Sequence, residues 1–153
     1  TFRVLLPVLD AATGRAAPEA AMDAAPVAAP RLSGSVLVVD DDAHVLEFME
    51  ELLRDWGLEV QACRDPQHAL AGVASGEISF DWAILDQTMP GMSGLELSRR
   101  LCDVLPDPRI LLYTGYSNQI SEVAVAESGV RELLHKPLDH ARLLRLLSDT
   151  LAR

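Results

Sequence analysis

The stretch SVLVVDDD, Ser35–Asp42, is an almost unbroken apolar run that ends in three carboxylates. Apolarity without alternation over such a length is what a strand buried on both faces requires. Four further strand-like runs follow: Leu58–Cys63, Phe80–Asp86, Arg109–Thr114 and Val130–Leu134. Between the first two, Val45, Leu46, Met49, Leu52, Leu53 and Trp56 trace one helical face, closed by Gly57. Pro66–Ser75, Gly94–Leu105 and Asn118–Ser128 are weaker helical segments. Asp139–Ala152 is the last helix, with Leu143, Leu144, Leu147 and Leu151 on its core side. Five strands alternating with five helices predict right-handed crossovers and a doubly wound parallel α/β sheet, covered on both faces.

In such a sheet the ligand site lies at the carboxyl ends of the strands. The first strand ends in Asp40, Asp41 and Asp42, the third in Asp86 and the fourth in Thr114. The fifth runs into His135-Lys136-Pro137, and Lys136 is the only lysine in the chain. Carboxylates brought this close repel by about 4 kcal/mol per pair at 4 Å for an effective dielectric near 20. A hard cation among them relieves that repulsion, and oxygen donors with few protein groups suit Mg²⁺. A lysine and a hydroxyl opposite the metal complete a place for a phosphoryl group. Each residue also has a plainer reading. Asp42 caps the following helix, Asp86 alone suits a turn, Thr114 a strand end and Lys136 a charged surface. Their coincidence at the strand ends of one sheet favours a site.

Four segments, VLVVDDD (36–42), ILDQTMPGMSGLEL (84–97), LLYTGYS (111–117) and HKPL (135–138), resemble the receiver domains of two-component response regulators. The resemblance covers residues 35–153. It implies a flavodoxin-like (βα)5 fold with strand order 2-1-3-4-5 and a part in phosphorelay signalling. By position it makes Asp86 the phosphoacceptor. Asp40, Asp41 and Asp86 become ligands of Mg²⁺ (or Mn²⁺), with the Thr88 carbonyl as a further ligand. Thr114 becomes the switch hydroxyl and Lys136 the partner of the phosphoryl group. At the position where many receivers carry a switching Tyr or Phe, this chain has Leu133. Thr88, Gly115 and Tyr116 flank the site and are expected to tune how fast water removes the phosphate.

Composition narrows the setting. The 153 residues carry a formal charge of −10, and residues 35–153 hold the whole imbalance, with 20 acidic side chains against 10 basic. A domain this acidic repels phosphate backbones, so nucleic acid is not expected as a partner. Two cysteines, Cys63 and Cys102, form neither a disulfide framework nor a CxxC motif and suit a reducing, cytoplasmic setting. No apolar run is long enough to span a bilayer, so this segment is expected to make no membrane contact. Residues 11–30 contain ten Ala and three Pro without a periodic apolar face, so 10–34 reads as a flexible linker.

Residues 1–9, beginning TFRVLLPV, resemble the last strand of a histidine-kinase ATP-binding domain. The sequence therefore suggests the C-terminal receiver of a hybrid sensor kinase, without a DNA-binding output. Its expected partners are the kinase core of the same protein or a histidine phosphotransfer protein. Two other classes compete. A metal-dependent phosphatase needs a second catalytic acid that Asp86-Gln87-Thr88 lacks, and a phosphorylation-independent interaction module has no need of Asp86, Thr114 and Lys136 together.

Overall fold

All five helices among the described residues begin where the sequence places a short polar side chain. Asp42, Asp65, Ser93, Ser121 and Asp139 each turn a side-chain oxygen back to accept an N–H of the first turn, from His44, Gln67, Glu96, Ala124 and Arg142. The computed structural model describes residues 31–115 and 120–151. The expectations for residues 1–9, for most of the 10–34 stretch and for Tyr116 fall outside those residues. The elements alternate as β1 (Ser35–Val39), α1 (Ala43–Asp55), β2 (Glu59–Cys63), α2 (Pro66–Ser75) and β3 (Trp82–Asp86). There follow α3 (Gly94–Val104), β4 (Ile110–Thr114), α4 (Glu122–Glu127), β5 (Val130–His135) and α5 (His140–Leu151).

All strand pairs are parallel, in the order β2-β1-β3-β4-β5. This is the doubly wound, flavodoxin-like arrangement expected from the alternation of elements. Side chains of the central strands divide by parity between two cores. Val36, Val38, Trp82, Ile84, Leu111 and Tyr113 join Leu46, Met49 and Leu53 of α1 and Leu143 and Leu147 of α5. Leu37, Val39, Ala83, Leu85, Ile110 and Leu112 meet Ala69 and Val73 of α2 and Leu97 and Leu101 of α3. Burial on both faces explains why these strands read as continuous apolar runs.

Three features depart from the sequence reading. The helix expected over Asn118–Ser128 begins only at Glu122, where Ser121 caps it. Leu32, placed within the linker, is buried in the first core, and its N–H donates to the Trp56 carbonyl at 2.7 Å. In β5 the register slips between Val130, opposite Ile110, and Glu132, opposite Leu111, so that Arg131 is an extra residue. Strict alternation would send Val130 and Leu133 to opposite faces, yet both pack with the second core. The bulge reconciles them and resets the alternation for the residues that follow.

Among the described residues no helix is long and apolar enough to cross a membrane. Leu111 is fully buried at the centre of the sheet, whereas Val123 on α4 is 66% exposed. Leu111→Ala is expected to lower unfolding free energy by about 2–5 kcal/mol. Val123→Ala should change it by less than about 0.5 kcal/mol, both read by urea denaturation.

Candidate functional site

Strand order puts the carboxyl ends of β1 and β3 side by side, with Val39 opposite Leu85. Asp40 follows β1 directly and Asp86 is the last residue of β3; they are only 2% and 4% exposed. With the more open Asp41, their carboxylate oxygens lie within 4.8 Å of one another. Asp42 leaves this cluster, because its carboxylate is engaged in capping α1.

Asp40 bears most of the cost. Its Oδ1 accepts the Asp42 N–H at 2.8 Å, but its Oδ2 is buried without a hydrogen-bond partner. Burial, followed by the charges of Asp86 and Asp41, pushes its carboxyl from 3.8 to about 6, against the Asp42 N–H and the Lys136 charge. Asp86 is better served. Lys136 Nζ sits 2.8 Å from Oδ1, and the Thr88 N–H donates to Oδ2 at 3.0 Å. Burial opposes the charge on Lys136, but the hydrogen bond and charge of Asp86, with Asp40 adding, raise its pKa above the ordinary lysine value.

The backbone delivers Lys136 to this position. Its N–H donates to the Thr114 carbonyl at 2.8 Å, one step beyond the pairing of Thr114 with His135. The Lys136–Pro137 peptide is cis. Thr114 is 1% exposed, and its hydroxyl donates to the Gly115 carbonyl at 3.3 Å. Leu133 lies opposite Leu112 and packs, half-buried, with the second core. The sequence-derived residues Asp40, Asp41, Asp86, Thr88, Thr114, Gly115 and Lys136 thus come from the ends of four strands to one edge of the sheet.

Three contributors were not found from sequence. The Tyr113 ring lies 4.7 Å from Lys136 Nζ and offers it a cation–π contact. Arg64, after β2, donates to the Asp41 carbonyl at 3.2 and 3.4 Å through two of its nitrogens. Both Arg64 and Asp41 line a cavity of about 490 Å³ that extends to Pro90 and Gly91. Gln87 ties the loop after Asp86 to α3. Tyr113 was discoverable as the aromatic residue preceding Thr114; the other two contacts depend on how loops meet.

An oxygen-only donor set with surplus negative charge and an orphaned buried carboxylate oxygen fits a hard divalent cation. Residues 36–148 match the family model described as the response regulator receiver domain. The chain belongs to that family. This receiver is 35% identical over 117 residues to the transcriptional regulatory protein ZraR of Klebsiella oxytoca, covering 76% of this chain and 26% of that protein. It is 31% identical over 119 residues to the DNA-binding transcriptional regulator NtrC of Azospirillum brasilense, covering 78% and 24%. It therefore spans about a quarter of the length of these curated relatives. Among solved structures it resembles a response regulator receiver domain from Clostridium thermocellum, with a TM-score of 0.71 at 25% identity, covering 78% and 94%. A putative response regulator from Chloroflexus aurantiacus gives 0.69 at 30%, covering 79% and 99%.

These relatives correct the expected partners. A kinase core of the same protein or a phosphotransfer protein, with nucleic acid left out, was expected; the relatives are instead transcriptional regulators, one of them named as DNA-binding. The acidic balance measures only what the receiver's own surface attracts. It carries no information on a DNA-binding segment with which a receiver acts.

Asp40 also sets a pH dependence. Its folded pKa lies above the unfolded value, so the folded state holds the extra proton between pH 3.8 and about 6. Stability therefore falls as pH rises through that window, reaching a penalty of about 3 kcal/mol at neutral pH. In buffer free of divalent cations, Asp40→Asn should remove this fall and unfold at higher urea than the parent at pH 7. Equal pH profiles for the two proteins would contradict the assignment.

Proposed function

We propose that this receiver accepts a phosphoryl group on Asp86 from a phosphohistidine donor, in a Mg²⁺-dependent reaction (or with Mn²⁺). The carrying observation is Asp86 itself, a carboxylate 4% exposed, ion-paired with the chain's sole lysine and set against two further carboxylates. A carboxylate oxygen of Asp86 forms the new bond to phosphorus while the phosphorus–nitrogen bond breaks, and the departing imidazole nitrogen keeps the electron pair. Asp40, Asp41 and Asp86, with the Thr88 carbonyl, hold the cation, which when bound neutralises charge on the phosphoryl oxygens.

Lys136 then pairs with the phosphoryl group in place of the free carboxylate. The Thr114 hydroxyl exchanges the Gly115 carbonyl for a phosphoryl oxygen. Leu133 lacks the ring whose reorientation the resemblance implies, so on this reading Thr114 carries the switch. Thr88, Gly115 and Tyr116 set the access of water to the acyl phosphate. The names of the relatives support a further step, in which the phosphorylated receiver regulates a DNA-binding output.

A second reading of the setting places the receiver after the ATP-binding domain of a sensor kinase. One observation favours it, the TFRVLLPV pattern followed by the Ala/Pro-rich stretch. The coding sequence on either side of residues 1–153 distinguishes the two settings.

Incubation with Mg²⁺ and a small phosphodonor should give a single phosphate adduct by intact mass, lost with chelator and lost in Asp86→Asn. Absence of an adduct from the parent protein would favour a phosphorylation-independent interaction module. Thr88→Ala and Tyr116→Ala should each change the half-life of the adduct, followed by mass over time. Unchanged hydrolysis in both variants would remove these residues from the tuning role.

A further inference from the structure

The residue after Asp86 is bonded in three directions. The Gln87 N–H donates to the Tyr113 carbonyl at 2.9 Å, continuing the β3–β4 ladder past Asp86. Its carbonyl accepts the Gly94 N–H at 3.2 Å, and its side-chain Oε1 accepts the Leu95 N–H at 3.1 Å. The first two N–H groups of α3, which have no partner inside the helix, are thus both taken by one residue at the end of β3. Ser93 adds a third bond by accepting the Glu96 N–H.

The approach is close. A Cβ on Gly94 would collide with the Asp86 carbonyl oxygen and come within 2.6 Å of Leu112 Cδ1. Gly94 is buried and helical, so the need for glycine is steric rather than conformational. Loop 88–93 therefore leaves and rejoins the structure at Gln87. Within that closed loop, the Thr88 N–H is fixed on Asp86 Oδ2.

We propose that Gln87 is a positioning residue for the phosphoryl-transfer site. Its side-chain oxygen pins α3 to the strand end and thereby sets where the Thr88 backbone stands beside Asp86. The role deepens the phosphoacceptor reading and rests on it. An apolar residue of similar length would leave the Leu95 N–H without its partner and free the loop to shift relative to Asp86. Because the Thr88 carbonyl would be one of the groups that hold the cation, both cation affinity and the lifetime of the acyl phosphate depend on that placement.

Gln87→Met removes the acceptor at nearly constant volume, and Gln87→Glu keeps an acceptor oxygen. Amide hydrogen exchange at Leu95, Mg²⁺ affinity by titration calorimetry and acyl-phosphate half-life by intact mass are read on both, with thermal unfolding in chelator as the measure of stability. In Gln87→Met, the Leu95 amide should lose protection, Mg²⁺ should bind at least about tenfold more weakly, as for lost supports of metal ligands, and the half-life should change. In Gln87→Glu, Leu95 protection and half-life should stay near the parent values; Mg²⁺ affinity is not compared there, since the added charge alters it. Two outcomes overturn the proposal. One is loss of Leu95 protection or stability in Gln87→Met with affinity and half-life unchanged; the other is a half-life in Gln87→Glu as altered as in Gln87→Met. If the parent protein takes neither Mg²⁺ nor phosphate, the phosphoacceptor reading itself fails, which is a separate result.

Discussion

Repulsion among Asp40, Asp41 and Asp86, opposed by Lys136 alone among lysines, is the constraint to which the site end of this molecule is built. Carboxylates within 4.8 Å of one another, two of them buried, are not an arrangement that a folding chain reaches for stability. The raised pKa of Asp40 and its unpartnered Oδ2 mark the cost directly. That cost is sustained because β1, β3 and β4 are buried on both faces, so that apolar layers on either side hold the strand ends rigidly together. Stability is generated in the middle of the sheet and withdrawn at its carboxyl edge.

Lys136 reaches that edge through a chain of local adjustments. The extra residue at Arg131 lets Val130 and Leu133 share a core while Leu134 faces the other. Thr114 then pairs with His135 and its carbonyl takes the Lys136 N–H, so hydroxyl and ammonium come to the site as neighbours. Tyr113 closes the arrangement by placing its ring beside the ammonium. Burial pushes the tyrosine hydroxyl up, with Lys136 pulling it back, so it stays neutral and its ring remains a good cation partner.

Most of this was legible in the chain because the signals are local. Apolar runs, Gly and Pro punctuation and polar caps marked the strands and four of the helices to within one or two residues, α4 alone starting four residues later than expected, and the strand-end rule then brought Asp40, Asp41, Asp86, Thr114 and Lys136 together. What stayed hidden depends on contacts between segments far apart in sequence. Nothing in PRLSG (30–34) announces that Leu32 packs in the first core and bonds to Trp56, and nothing around Arg131 announces a bulge, since both follow from the partner strand or helix. Arg64 and Gln87 were missed for the same reason: a lone polar side chain beside a motif looks like surface until the loop it reaches is known. Partners were misread because net charge describes one domain's surface and not the assembly in which it works.

On the proposed reading, the ion pair at the centre of the site also explains why modification of one atom would be felt beyond it. Phosphorylating Asp86 removes the carboxylate charge that now holds Lys136, and the negative charge reappears on phosphoryl oxygens further out along the same side chain. Lys136 has to follow that charge, and its backbone is bonded to Thr114, whose own hydroxyl is drawn the same way. A displacement of charge at the end of β3 thus becomes a displacement at the ends of β4 and β5 together. The end of β3 shares in that coupling, because Gln87 bonds it both to α3 and to the Tyr113 carbonyl of β4.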